Sequence, residues 1–319
     1  MAEAVLFDLV IIGGGPGGLT AGIYAMRAAL KTILIEKGLP GGQINLTESV
    51  KNYPGFENIS GFDLSQKFLQ HAQAYGLEVR NAEVVAVEPG LKFHTIRLAN
   101  GGTLNTLAVI LATGGSPHKL GIPGESEYYG RGVSYCATCD GFFFRGKTVV
   151  VVGGGDTALE EALYLAKITK QVYLVHRRDA FRASRILHQQ VEREGKIQVL
   201  WNTVITQVKS NASGVYAVDL QDTQTKAARE LATDGVFIFI GFMPNNQLVP
   251  AGIRLDHEGY VMTDERCQTN ISGIFAIGDL RQKNAKQIVI AAADGCTAAL
   301  SAALDVEIKK NHNNQSPQG

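Results

Sequence analysis

The chain has 319 residues, of which 45% are hydrophobic and 19% charged, with 30 acidic and 30 basic side chains and a formal net charge of zero. Such a length suggests about two domains with room for packed cores, and the balanced charge gives no reason to expect a nucleic-acid or membrane-surface partner. Four cysteines are too few for a disulfide scaffold, so a reducing compartment is the default.

The start, Met1-Ala2-Glu3-Ala4, lacks the basic residues of a signal peptide, and its apolar run is broken by Asp8. No stretch reads as the ~18 apolar residues of a membrane span. A cytoplasmic location follows as the expectation. Residues 7–12 form a short apolar strand that feeds Gly13-Gly14-Gly15-Pro16-Gly17-Gly18. An Ala-rich helical run covers 19–29, and 32–35 give a second strand ending in Glu36. Glycines 13, 15 and 18 fit G-x-G-x-x-G. Gly13 permits the tight turn, Gly15 lets backbone approach a pyrophosphate, and Gly18 lets the helix pack on the strand. The pyrophosphate would sit on the helix N-terminus, where free N–H groups and the dipole favour anions. Glu36 stands where an acid accepts hydrogen bonds from ribose hydroxyls.

Residues 37–61 read as irregular. Asp63 is expected to cap a helix running to Tyr75, with Gly76 as its stop. Its apolar stripe is Leu64, Phe68, Ala72 and Tyr75. Strand-like segments follow at 77–87 and 93–98, then an Asn100-Gly101-Gly102 turn and a buried strand at 109–114 that ends in Thr113-Gly114. The second half repeats this order. A strand at 147–152 leads into Gly153-Gly154-Gly155-Asp156-Thr157-Ala158, then a helix to 168 and a strand at 172–175. Segments at 197–208, 215–220 and 236–241 complete the copy. The pattern is an internal duplication of two Rossmann-like units, each with an antiparallel insertion.

The copies differ where the second strand ends. The first has Glu36; the second has His176-Arg177-Arg178, with Arg182 four residues on. An acid there repels a 2′-phosphate, whereas arginines bind one through charge-assisted, often bidentate contacts. The first site therefore suits a dinucleotide with a free 2′-OH, such as FAD or NAD, and the second suits NADPH. Asp156 faces the expected pyrophosphate and would weaken binding unless it caps the following helix.

Between the copies lies Cys136-Ala137-Thr138-Cys139-Asp140. Two residues between cysteines put both sulfurs on one turn, suited to a disulfide or to a thiolate of lowered pKa. The same spacing also serves as half of a zinc site, which needs two further ligands, or as two packed thiols. Cys267 and Cys296 stand apart from each other and from the pair. Two dinucleotide sites and a vicinal cysteine pair describe an electron path from NADPH through flavin and disulfide to an outside acceptor.

From residue 5 to 305 the chain resembles the low-molecular-weight thioredoxin reductase family of flavoproteins. The resemblance rests on the two glycine motifs, Gly41-Gly42-Gln43, Ala112-Thr113-Gly114, Cys136 to Gly141, His176 to Arg182 and Ile277-Gly278-Asp279. It implies an α/β fold with two Rossmann-like, three-layer dinucleotide-binding domains. The FAD domain would be discontinuous, 1–117 plus 246–319, with an inserted NADPH domain, 118–245, carrying the redox disulfide. Gly13, Gly15, Pro16, Gly18, Glu36, Gly42, Gln43, Asn52, Thr113, Gly114, Gly278, Asp279, Gln287 and Ile288 would hold FAD. Gly153, Gly155, Asp156, Thr157, Ala158, His176, Arg177, Arg178 and Arg182 would hold NADPH. Cys139 would face the flavin, Cys136 would attack the disulfide of thioredoxin, and Asp140 would serve as acid–base. In place of the C-terminal His–Glu pair of larger disulfide reductases, this chain has only His312 late on, in a polar tail from Lys309 that reads as disordered. The resemblance also implies a homodimer without a metal and a rotation of one domain against the other, with hinges near Ser116-Pro117 and Phe242-Pro244. Arg131 and Phe142-Phe143-Phe144 flank the cysteines, and the aromatic run reads equally as a thioredoxin docking patch or as core.

Overall fold

In the computed structural model, residues 6–47, 49–212 and 214–315 are described. The Met1-Ala4 start and the last residues of the polar tail lie outside them. The chain divides into two compact units: one runs through Asn45, Tyr53–Ser116 and from Met243 on, and the other comprises Leu46–Asn52 and Pro117–Phe242. The short segment Leu46–Asn52, with Asn52 in it, thus groups with the second unit. There Lys51 Nζ lies 4.7 Å from the ring centre of Phe143.

The first unit opens with β1 (Leu6–Ile12), six of whose seven residues are buried, as a central parallel strand covered on both faces requires. Helix α1 (Pro16–Arg27) follows, with Pro16 in its first turn, where a missing N–H costs nothing. Strands β2 (Thr32–Glu36), β3 (Glu78–Asn81), β4 (Val84–Glu88), β5 (His94–Leu98) and β6 (Thr103–Leu111) build the order β3-β2-β1-β6-β5-β4. β1, β2, β3 and β6 run parallel; β4 and β5 form an antiparallel insertion paired to β6. Helix α2 (Gly61–Ala74) is capped three residues earlier than expected. Its N-cap is Ser60, whose hydroxyl oxygen accepts from Asp63 N at 3.0 Å, so Asp63 lies in the first turn instead of capping. Leu64 and Ala72 are buried, whereas Tyr75 is exposed at the end of the stripe.

Strand β7 (Gly115–Pro117) leads into the second unit. There β8 (Val133–Ser134), the one-turn α3 (Ala137–Asp140), β9 (Thr148–Gly153), α4 (Asp156–Ala166), β10 (Gln171–Val175), α5 (Arg185–Arg193), β11 (Ile197–Leu200), β12 (Thr203–Asn211), β13 (Gly214–Asp222), β14 (Ala228–Ala232) and β15 (Gly235–Phe239) follow in order. The sheet order β11-β10-β9-β15-β8 is all parallel and repeats β3-β2-β1-β6 of the first unit, while β12-β13-β14 is the antiparallel insertion. Strand β16 (Phe242–Pro244) returns the chain and pairs with β7, so the two connectors lie side by side.

The chain then adds β17 (Ile274–Ala276), parallel to β6, and the long helix α6 (Ile288–Gln315). The polar end expected to be disordered is helical as far as Gln315. Its basic side chains are engaged: Lys309 Nζ donates to Leu107 O at 2.7 Å and Lys310 pairs with Asp8 at 2.7 Å. Against the expectation that no stretch has that length and character, Ile288–Asn311 is long and apolar enough to cross a membrane. In the fold, α6 buries Ala298, Ala299, Ala302 and Val306 in the same core as Leu19, Ile23 and Phe275.

Candidate active site

The first glycine turn is shaped for a phosphate. A Cβ on Gly18 would run into the carbonyl oxygen of Gly13, and one on Gly13, at φ +110°, into Ala112 O. Neither position tolerates a side chain because β1, α1 and β6 meet there. A Cβ on Gly15 would meet nothing within 4 Å. Gly15 is also the N-cap of α1 and supplies no side-chain acceptor, and no acid lies in the first turn. The first N–H groups of α1 are therefore left for an anion. Glu36 Oε2 accepts from Gly14 N at 2.7 Å and Oε1 from Gly38 N at 2.8 Å. Each oxygen keeps lone pairs for a ribose hydroxyl. Gly41 N donates to Gly14 O at 2.7 Å, and Gly42, at φ +61°, packs on Gly15. Gln43 Nε2 reaches Gly115 O at 3.4 Å.

The far end of this unit brings the remaining flavin candidates to ordered backbone. Thr113 Oγ1 donates to Asn245 O at 2.7 Å, and Asn245 Nδ2 donates to Thr113 O at 2.9 Å. Gly114, at φ +67°, accepts from Asn245 N. Gly278 is buried at φ +66° and opens the 3-10 turn Gly278–Leu280 that carries Asp279. Burial holds the Asp279 carboxyl above the usual carboxylate range, against the pull of Lys283 and Lys286. Asp294 was not singled out by sequence. It is buried, accepts from Gly278 N at 3.0 Å and pairs with Arg281 and Lys283, both at 3.0 Å, and so fixes the turn beneath Asp279. Gln287 O accepts from Ala291 N at the start of α6, where Ile288 is the first helical residue.

The second unit holds the second glycine turn. A Cβ on Gly153 would strike Ala158 and Phe239 O, while one on Gly155 would meet open space. Gly155 is the N-cap of α4 and again brings no side-chain bond. Asp156 does not cap that helix: its Oδ1 accepts from Ser184 N at 2.7 Å, which ties the turn to the arginine loop. Arg182 N donates to Gly154 O at 2.8 Å, a second tie. Thr157 and the fully buried Ala158 follow in α4. Arg177, Arg178 and Arg182 are exposed, and none forms a salt bridge among the described residues. His176 beside them is buried. Both glycine turns thus fit a dinucleotide, and the second carries the charge for a 2′-phosphate.

Cys136 and Cys139 form a disulfide with Cα atoms 5.3 Å apart. Among the described residues no cluster of His, Cys, Asp or Glu could hold a metal ion. Cys136 is the N-cap of α3, and its Sγ accepts from Cys139 N at 3.2 Å and lies 3.4 Å from Thr138 Oγ1. Ser134 on β8 donates its hydroxyl to Asp140 Oδ2 at 2.6 Å. Burial raises the Asp140 carboxyl above the usual range, and the serine bond only partly offsets this. Glu161 on α4 faces the backbone N–H groups of Ala137 and Thr138, and burial raises its carboxyl too. Its Oε2 is buried without a hydrogen bond. Ser134 and Glu161 carry no motif and were missed; only the position of Glu161 in the first two turns after the glycine turn offered a hint. The aromatic run divides. Phe144 is core, packed edge-on against Phe237 at 5.1 Å, whereas Phe142 is 59% exposed.

A family model described as pyridine nucleotide-disulphide oxidoreductase matches residues 7–295. The chain is 45% identical over 302 residues to a thioredoxin reductase of Bacillus subtilis, covering 94% of this chain and 95% of that one. It is also 45% identical to a thioredoxin reductase of Helicobacter pylori, over 93% and 97% of the two chains. The crystal structure of thioredoxin reductase from Streptococcus pyogenes superposes with a TM-score of 0.93 at 39% identity, over 96% of this chain and all of that one. With the cysteine pair and both glycine turns inside the matched span, the chain belongs to the pyridine nucleotide-disulphide oxidoreductase family.

Proposed function

We propose that this protein is a thioredoxin reductase that takes electrons from NADPH and delivers them, through FAD and the Cys136–Cys139 pair, to the disulfide of oxidised thioredoxin. The observation that carries the reading is the disulfide at the head of α3 with a half-buried acid beside it, in a unit that also holds an arginine-flanked dinucleotide turn. FAD would lie on Gly13, Gly15, Gly18 and Glu36, and when bound it supplies the two-electron relay between nicotinamide and disulfide. NADPH would lie on Gly153, Gly155 and the arginine loop.

The chain's own residues account for the exchange with thioredoxin. In the dithiol form, Cys139 N–H and the Thr138 hydroxyl favour a thiolate at Cys136 Sγ. That thiolate attacks one sulfur of the thioredoxin disulfide. The bond between the two thioredoxin sulfurs breaks, and the leaving sulfur takes from Asp140 the proton that Cys136 gave up. Asp140, now ionised, takes the Cys139 proton as Cys139 attacks Cys136 Sγ; the internal disulfide is restored, and the second thioredoxin sulfur leaves with that proton. Two electrons and two protons pass to thioredoxin in all. Asp140 suits proton transfer because burial makes it hold a proton more tightly than a free carboxyl does.

The same reading assigns the protein to the cytoplasm and to a homodimer. Leu300, Leu304 and Ile308, four residues apart on α6 and each about half exposed, give an apolar stripe for a second copy. It also assigns a rotation between half-reactions at β7 and β16, whose short paired connectors would carry it. Phe142 is the aromatic available for thioredoxin docking. Stopped-flow reduction by NADPH, followed by reoxidation with thioredoxin, tests the sequence of events: rapid bleaching of the flavin that thioredoxin alone reverses is expected, and bleaching that thioredoxin does not reverse would remove the substrate assignment.

A further inference from the structure

His176 directly follows β10, is 7% exposed and is held at both ring nitrogens. Nδ1 lies 2.8 Å from Gly153 O in the glycine turn, and Nε2 lies 3.0 Å from Ala180 O in the arginine loop. Both partners are carbonyl oxygens, which only accept. A neutral imidazole has one N–H to donate, so one of its lone pairs must face an oxygen lone pair. Only the imidazolium satisfies both carbonyls. Against it stand burial first and then the charges of Arg177 and Arg178, which together hold the ring below the usual histidine range although both carbonyls pull it up. Those two arginines are the charged groups acting on the ring. Its other neighbours are Phe181, with ring centres 5.4 Å apart, Trp201 at 6.0 Å, and the backbone of Gly154, where a Cβ would enter the imidazole. The two carbonyls thus favour the imidazolium while burial and the arginines oppose it, and the arginines are the same groups that a 2′-phosphate would neutralise.

We propose that His176 takes up a proton from solvent when a 2′-phosphate docks on Arg177, Arg178 and Arg182. The proton goes to whichever ring nitrogen lacks one, and both N–H groups then donate, clamping the glycine turn to the arginine loop. Discrimination for the 2′-phosphate is then pH-linked. The sign follows from linkage: the ring's pKa is higher in the complex, so the part of the affinity that His176 supplies is greatest below the free-state pKa and is lost as pH rises from there through the bound-state pKa, by up to about tenfold per pH unit. The inference rests on the second glycine turn being the NADPH site.

The test is calorimetry of the flavin-loaded protein at pH 7.5 in two buffers of different ionisation heat, with adenosine 2′,5′-bisphosphate and with 5′-AMP. At that pH a phosphomonoester, with a second pKa of about 6, has little proton left to release. Net proton uptake is expected with the bisphosphate and none with 5′-AMP. His176→Asn should bind the bisphosphate more weakly and take up no proton. Binding without uptake overturns this inference and leaves the NADPH site standing; no binding of the bisphosphate overturns both. Should the variant fail to fold, the seven histidines of the wild type can be titrated by NMR. One imidazole should shift its midpoint upward with the bisphosphate but not with 5′-AMP, and seven unmoved midpoints would refute the proposal.

Discussion

Replacing Asp140 by asparagine removes a proton donor while keeping the shape of the side chain. The Ser134 hydroxyl, which donates to Asp140 Oδ2 at 2.6 Å, still finds a carbonyl oxygen there. Positioned acid–base groups contribute roughly 10²–10⁴-fold to a reaction, so the barrier for the leaving thioredoxin sulfur should rise by about 3–5 kcal/mol. Stability should not suffer. Burial raises the Asp140 pKa in the folded chain, so whatever stability its protonation lends is present at low pH and lost as pH rises through that pKa. At pH 7 the asparagine avoids burying a charge, and the melting temperature should hold or increase. The assay separates the half-reactions: flavin bleaching by NADPH should stay near the wild-type rate, while reoxidation by thioredoxin slows at least a hundredfold. Thioredoxin turnover within a few-fold of wild type would refute the acid–base role.

Cys136→Ser should abolish thioredoxin reduction yet leave flavin reduction by NADPH intact; loss of the bleaching phase would contradict the order of the cysteines. Arg177→Ala with Arg178→Ala should raise the KM for NADPH at least tenfold and leave the KM for NADH nearly unchanged, and equal effects on both would remove the 2′-phosphate role. Gly18→Ala should lower the melting temperature and the flavin bound per chain, because its Cβ enters the Gly13 carbonyl, a backbone atom that cannot yield. Overpacking of this kind costs typically about 1–3 kcal/mol. A normal flavin content in that variant would mean the turn is looser than it stands here.

What could be read in the sequence is what local chemistry fixes. Gly13 and Gly18 announce their turn because no other residue fits the contacts seen there, Gly15 between them leaves open space for a ligand, and the repeat at 153–158 betrays the duplication by order alone. The contrast between Glu36 and His176-Arg177-Arg178 needed only the position at the end of the second strand. The supports of the site come from elsewhere in the chain and have no spacing to reveal them. Ser134 reaches Asp140 from β8, Glu161 reaches α3 from α4, and Asp294 reaches Gly278 from α6. Asp156 was expected at a helix cap and instead holds Ser184 N, a bond between segments 28 residues apart. Ser60 displaced Asp63 as a cap because its hydroxyl oxygen accepts from the N–H of Asp63, which puts Asp63 inside the first turn. The polar end of α6 read as disordered since its composition lacks apolar residues, yet Lys309 and Lys310 anchor it through long-range polar contacts.

Steady-state oxidation of NADPH, and separately of NADH, by the purified protein with oxidised thioredoxin decides whether the protein is an NADPH-dependent thioredoxin reductase. Fast loss of NADPH that depends on thioredoxin, with little use of NADH, is expected. NADPH oxidation that ignores thioredoxin would contradict the substrate, and a preference for NADH would contradict the role given to Arg177, Arg178 and Arg182.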